Sequence, residues 1–266
     1  MFSRFGLSRA PFTAELPPEA LFPSTRLREA LARLRYVVEQ RALGLLLGEP
    51  GAGKSAALRA FVDQADPATH KFIYLANVTS VRSFYRLLCH ALGLVPAHFA
   101  ADLAQQVQTA CVRLLDHGVT PVILCDETQD WPTAVLQEIR LLRNTEMDAR
   151  SPAAVVLVGH GSLRRHLALE PLRPLAQRIA VTVTLGGLSG TEIAEYVDHQ
   201  LRWAGAERPL FTHEVIELLA HYSRGLPRQI NRLATAALLA ADAVGQPLVE
   251  EPAFRAALKE TELESA

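Results

Sequence analysis

The chain predicts an α/β fold in which a parallel five-stranded sheet lies between helices and a small all-helical lid follows. Three observations carry this. Residues Gly48-Glu49-Pro50-Gly51-Ala52-Gly53-Lys54-Ser55 spell a complete G-x-x-x-x-G-K-[ST] loop, with the apolar run Ala42 to Leu47 before it and the helix-forming stretch Ala56 to Val62 after it. Apolar strand patterns then alternate with helical ones as far as Thr184, as a parallel sheet covered on both faces requires. From Leu188 onward only helical periodicity remains.

The elements follow in order. Leu27 to Tyr36 reads as a helix and Ala42 to Leu47 as the first strand, so the loop opens at that strand's carboxyl end. Phe72 to Asn77 is a strand, Val81 to Leu92 and Ala101 to Leu115 are helices, and Val122 to Cys125 is the third strand. Thr133 to Asn144 is a helix with Pro132 at its first turn; Ala153 to Val158 and Ile179 to Thr184 complete the sheet. The domain boundary is expected at 187, giving an α/β core over 1–187 with the N-terminal segment included, and a lid over 188–266. In the lid, Ser189-Gly190-Thr191-Glu192 forms a capping box for a helix to about Trp203. Thr212 caps a second to about Tyr222, Pro227 opens a third to about Ala243, and Pro252 to Glu260 is the last.

The loop's residue types match phosphate chemistry. Glycines at 48, 51 and 53 let backbone N–H groups close around phosphate oxygens, Lys54 supplies a point charge to the β and γ phosphates, and the Ser55 hydroxyl suits Mg²⁺. The expected nucleotide-binding residues are therefore Gly48, Glu49, Pro50, Gly51, Ala52, Gly53, Lys54, Ser55 and Ala56. Further on, Pro121-Val122-Ile123-Leu124-Cys125-Asp126-Glu127 is an apolar strand ending in two carboxylates and resembles a Walker B element. Alone it would read as a strand ending in a solvated acidic turn. After a phosphate loop, Asp126 is expected to hold Mg²⁺ with Ser55, and Glu127 to polarise the attacking water.

Composition narrows the class. The chain has 266 residues, 49% of them hydrophobic, enough to bury a sizeable core. A net charge of −1 says nothing for a generally basic nucleic-acid binder. Its cations are almost all arginine, with lysine only at 54, 71 and 259, a skew that phosphate-binding forks and a coding bias would both produce. Cys89, Cys111 and Cys125 are odd in number and widely spaced, as reduced buried thiols would be. No apolar run reaches the length of a membrane span, and Met1-Phe2-Ser3-Arg4 does not begin a secretory signal, so a soluble cytoplasmic protein without direct membrane insertion is expected.

A set of motifs in fixed order resembles the ExeA/GspA-type AAA+ ATPases over nearly the whole chain. It comprises Phe5-Gly6-Leu7 with Pro11-Phe12, the Leu27 to Tyr36 helix, the phosphate loop, Asp126-Glu127-Thr128-Gln129, Leu141-Leu142-Arg143-Asn144 and Val158-Gly159. It continues through Leu175-Ala176-Gln177-Arg178-Ile179 to Ser223-Arg224-Gly225-Leu226-Pro227-Arg228-Gln229-Ile230-Asn231. The chain is also similar to transposon target-selection ATPases of the TniB, MuB and IstB kind.

The resemblance implies an AAA+ P-loop NTPase using ATP and Mg²⁺ as a homo-oligomer, ring or filament. It implies that Arg228 is the sensor-2 arginine and that Arg178 is a finger inserted into a neighbouring subunit's site, with Arg173 open as an alternative for that role. It puts His160 at the sensor-1 position in place of the usual Gln; a satisfied strand-end histidine is the other reading. Thr128 stands where Ala is more usual, and Gln129 is a candidate for a polar relay to the water. Phe5, Pro11, Phe12 and Leu27 are candidates to cover the adenine, or ordinary core.

Three roles compete. The first is a regulator of DNA transposition that coats double-stranded DNA without sequence preference and recruits a transposase. It is expected because secretion-type relatives usually continue into a membrane segment, whereas this chain stops at Ala266 after an acidic Glu260 to Glu264 stretch. The second is a secretion-pathway ATPase with a membrane partner, and the third a nucleotide-gated scaffold with little hydrolysis. Arg82 and Arg86, and separately Arg140, Arg143 and Arg150, are candidate phosphate contacts; solvated helix faces and subunit contacts are the alternatives.

Overall fold

A computed structural model describes residues 3–13, 16–143 and 151–263. In chain order the elements are α1 (Thr25–Glu39), β1 (Leu43–Gly48), α2 (Lys54–Asp63), β2 (His70–Leu75), α3 (Val81–Ala91), α4 (Ala100–Asp116), β3 (Thr120–Cys125) and α5 (Thr133–Leu142). They continue with β4 (Ala154–Gly159), α6 (Gly161–Leu167), α7 (Arg173–Ala176), β5 (Ile179–Leu185), α8 (Gly190–Trp203), α9 (His213–Ser223), α10 (Pro227–Ala243) and α11 (Glu251–Leu263). Two compact units result. A sheet unit holds Glu29–Glu49 and Ala57–Leu185; a helical unit holds the chain up to Arg28, Pro50–Ala56 and everything from Gly186 onward.

The sheet is parallel throughout, in the order β2-β3-β4-β1-β5. Position in that order explains the sequences. Central β1 (LGLLLG) and β4 (AVVLVG) are buried at every residue, because helices cover both faces and leave no polar side. The edge strands β2 and β5 instead alternate buried with exposed residues. Leu45, Ile123, Val155 and Leu157 meet Phe84, Leu88, Leu136 and Ile139 in one continuous core.

The edge position also accounts for a shift from expectation. β2 runs His70–Leu75 and not Phe72 to Asn77, since polar His70 and Lys71 are acceptable on an edge while Asn77, at φ 55°, has left the strand. Asn144 and Arg150 lie outside the described residues.

In the helical unit, Ile193, Val197, Leu201, Val215, Leu219, Ile230, Leu233, Ala237 and Phe254 form a separate core. The Ser189 capping box is present: Ser189 Oγ accepts from the Glu192 N–H at 3.4 Å and Glu192 Oε2 accepts from the Ser189 N–H at 3.1 Å. Glu192 Oε1 also accepts from the Thr25 N–H at 2.9 Å. The bond from Thr25, followed by that from Ser189, holds the Glu192 carboxyl down at about 2.

The N-terminal segment departs from the expected 1–187 core. Phe5, Leu7 and Phe12 are buried in the helical core, Phe12 edge-on to Phe211 with centroids 6.1 Å apart. Phe5 and Phe12 are therefore packing residues, not aromatics available to an adenine, and Pro11 is buried beside them. Apolarity marks such residues as interior but does not say which interior.

Candidate nucleotide site

Parallel strands deliver their carboxyl ends to one edge of the sheet. In register, Leu47 lies beside Gly159 and Gly48 beside Leu185, while Leu75 pairs with Cys125 and Cys125 with Leu157. That edge therefore carries Gly48 and Glu49 of the loop, Asp126-Glu127 after β3, and His160 after β4. The crossover from β1 to β2 passes over two intervening strands, the topological switch at which α/β sheets hold ligands.

Asp126 is 4% exposed and both its oxygens are used: Oδ1 accepts from the Glu127 N–H at 2.9 Å and Oδ2 from the Tyr74 hydroxyl at 2.8 Å. Tyr74 pairs with Leu124 across β2 and β3, and period-two alternation puts Asp126 on the same face as Leu124. Burial, then the bond to Asp126, pushes the Tyr74 phenol up to about 12. Nothing in the sequence marks Tyr74 until the strand register is known.

Glu127 is exposed and left-handed at φ 49°, ψ 40°, a conformation that costs a residue with a side chain about 1–3 kcal/mol and gathers at functional sites. The next two residues hold it there. Thr128, fully buried, donates its hydroxyl to the Val158 carbonyl at 2.9 Å, anchoring the turn to β4. Gln129 donates to Glu127 Oε2 at 2.7 Å and accepts from the His160 N–H at 3.3 Å.

His160 caps α6, a helix absent from the sequence reading because it is only seven residues long and opens on glycine. Its Nδ1 accepts from the Ser162 N–H at 3.4 Å, which leaves the proton on Nε2 and makes that nitrogen a donor. The cap thus occupies Nδ1 and leaves Nε2 outside it.

The rest of the loop, Pro50–Ala56, belongs to the helical unit. Lys54 is buried and Ser55 exposed at the start of α2. The Arg228 N–H donates to the Gly51 carbonyl at 3.3 Å, and a Cβ built on Gly51 would stand 2.6 Å from Arg228 Cβ. The first turn of α10 is thereby seated on the loop, leaving the Arg228 guanidinium exposed. Only glycine allows that approach at φ +88°.

The Ser55 hydroxyl and the Asp126 carboxylate are each hard oxygen donors of the kind Mg²⁺ takes beside substrate phosphates and water. Among the described residues no cluster of three or more His, Cys, Asp or Glu forms an all-protein cage. All three cysteines are free and buried, and burial raises each thiol, Cys111 to about 12.

Of the candidate fingers, Arg178 precedes β5 and is half-buried, whereas Arg173 opens α7 and is exposed. Arg82 and Arg86 are exposed one helical turn apart on α3, with His90 a turn further, and Arg82 Nη2 donates to the His98 carbonyl at 3.3 Å. Arg143 is not a free phosphate contact, because its Nη2 donates to the Arg41 carbonyl at 2.9 Å.

The parallel sheet with flanking helices and the loop at its edge make an α/β fold of the P-loop AAA+ kind. Residues 37–167 match the AAA domain family described as AAA_22. The chain is 35% identical over 246 residues to the general secretion pathway protein A of Aeromonas hydrophila, covering 91% of this chain and 45% of that protein, so it spans less than half of that relative. Its fold is similar to Cdc6p of Pyrobaculum aerophilum at a TM-score of 0.70 and 15% identity, with 94% of this chain and 70% of that one covered. It is also similar to the Aeropyrum pernix ORC1 protein, solved in complex with DNA, at a TM-score of 0.65 and 18% identity, covering 97% and 69%. No helix among the described residues is long and apolar enough to cross a membrane.

Proposed function

We propose that the protein hydrolyses ATP to ADP and phosphate. The observation that carries this is the acidic pair after β3, in which a buried, hydrogen-bonded Asp126 precedes an exposed Glu127 held in a left-handed turn. In this reading the loop from Gly48 to Ala56 binds the phosphates, with Lys54 on the β and γ groups, and Ser55 and Asp126 hold Mg²⁺. Mg²⁺, when bound, offsets the charge that develops on the phosphate oxygens. Glu127 takes the proton of the attacking water, while His160 Nε2–H and the Arg228 guanidinium meet the γ-phosphate.

Arg178 serves a second copy of the chain. Parallel register puts it beside the start of β1, with the length of β5, about 20 Å, between it and the edge carrying Gly48. It therefore lies at the end of its own sheet opposite the phosphate edge. An arginine supplied in trans contributes about 10³–10⁵ in rate.

Of the competing roles, a GspA-type ATPase working with a protein partner is the better supported, since the 35% identity extends over 91% of this chain. The DNA-bound transposition regulator rests on the exposed α3 stripe of Arg86 and His90, with Arg82 beside them already bonded to the His98 carbonyl. ATP turnover with and without non-specific double-stranded DNA, at low and physiological salt, separates the two. Turnover indifferent to DNA fits the partnered ATPase; stimulation that fades as salt rises fits the regulator. Glu127→Gln should bind ATP and lose turnover. Undiminished turnover in that variant rules the base assignment out, and no turnover by the wild type leaves a binding switch.

A further inference from the structure

We infer that Gln129 is the positioning residue for Glu127, tying that carboxylate to the β4–α6 turn so that the water-activating group and His160 are set by one side chain. The inference rests on the ATPase reading for its functional meaning, but the geometry stands alone.

Gln129 uses both ends of its amide. Nε2 has two N–H donors and two carboxylate acceptors, Glu127 Oε2 at 2.7 Å and Asp130 Oδ2 at 2.9 Å. Oε1 accepts from the backbone N–H of His160 at 3.3 Å. These partners fix the amide's orientation. Turned over, its oxygen would face two carboxylates and its NH₂ another N–H donor. With Oε2 committed to Gln129, Glu127 meets water through Oε1.

A second observation, independent of polar contacts, concerns Gly159 at the end of β4. A Cβ there would stand 2.6 Å from Gln129 Oε1 and 2.9 Å from Leu163 Cδ2. Gly159 has an ordinary backbone conformation, so no torsion demands glycine. The space its missing methyl leaves is filled by the Gln129 amide. Glycine at 159 and glutamine at 129 are thus two halves of one arrangement.

The test is a double-mutant cycle of Gln129→Ala and Gly159→Ala, with folding checked by circular dichroism and thermal midpoint. Gln129→Ala should lower kcat about tenfold to a hundredfold, the range a misplacement of about 1 Å produces. KM and the affinity for a fluorescent ATP analogue should stay within about twofold, which a merely structural lesion would not spare. Gly159→Ala should reproduce that split by pushing the amide aside, and the double variant should have a kcat no lower than Gln129→Ala alone, the remaining clash with Leu163 showing in the thermal midpoint. Unchanged or faster turnover in Gln129→Ala, or losses that multiply in the double variant, would overturn the inference.

A nucleotide-free readout keeps the two proposals apart. The ¹⁵N resonance of the Gln129 side-chain amide should move in both Glu127→Ala and Gly159→Ala. If wild-type protein has no turnover, the ATPase reading fails and this resonance alone decides: movement in both variants sustains the tie, and an unmoved signal refutes it.

Discussion

Replacing Gly51 by alanine tests how the helical unit holds the phosphate loop. Two costs are legible. The backbone sits at φ +88°, where a side chain adds about 1–2 kcal/mol. The new Cβ would also stand 2.6 Å from Arg228 Cβ, an atom fixed to the first turn of α10 and not the far end of a flexible chain. Such overpacking costs about 1–3 kcal/mol. Relieving it displaces the Arg228 N–H from the Gly51 carbonyl, a bond of 3.3 Å whose loss adds about 0.5–1.5 kcal/mol. Gly53→Ala is the control, because at φ +96° it incurs the torsional cost with nothing within 4 Å of its Cβ. Gly51→Ala should therefore be about 2–4 kcal/mol more destabilising than Gly53→Ala. Denaturant unfolding without nucleotide measures this, followed by Trp203 in a Trp131→Phe background. Trp203 lies in the helical unit beneath the Arg9 guanidinium, 4.8 Å from its ring centroid, and is then the sole tryptophan. Equal losses in the two variants would refute the assignment of the contact.

Tyr74→Phe should raise the Mg²⁺ concentration that half-saturates turnover and lower stability by about 0.5–1.5 kcal/mol, the modest value fitting a tyrosine that is 58% exposed; an unchanged Mg²⁺ titration removes Tyr74 from the site. Thr128→Val keeps the shape but leaves the buried Val158 carbonyl without its donor, and should cost about 1–3 kcal/mol in a urea titration. Glu192→Gln should make stability less dependent on acid. The Glu192 carboxyl is lowered on folding, so its contribution is complete above about 4.5 and fades as pH falls towards about 2. Wild type and variant should therefore differ at pH 7 and converge near pH 2.5 in urea midpoints.

How far the sequence could be read depended on whether a residue's role is local. The buried strands β1, β3 and β4 announce themselves because covering both faces forces continuous apolar runs. The phosphate loop and the Ser189 box are equally local, each written in a few consecutive residues. Roles that depend on pairing were hidden: Tyr74 reaches Asp126 only through the β2–β3 register, and Arg143 finds the Arg41 carbonyl from far along the chain. Gln129 is an intermediate case. Its bond to Glu127 spans two residues and its resemblance to a relay was visible, but its bond to His160 and the space left by Gly159 require the β3–β4 neighbours.

Arg173 and Arg178 can be separated because they differ in what each does within its own chain. Arg178 is half-buried and already engaged, adjoining β5 where Leu43 and Ile179 pair. Arg173 is exposed on a four-residue helix. A finger acts only across a subunit boundary, so its removal should abolish the dependence of specific activity on protein concentration while leaving ATP affinity intact. Arg178→Ala should do this and also lower the thermal midpoint, because it removes a guanidinium that contributes to the fold. Arg173→Ala should leave the midpoint unmoved and turnover near wild type. If Arg173→Ala alone removes the concentration dependence, the finger is Arg173 and the half-buried guanidinium of Arg178 is structural. If neither does, each chain completes its own site, and the distance between Arg178 and the phosphate edge has no catalytic meaning.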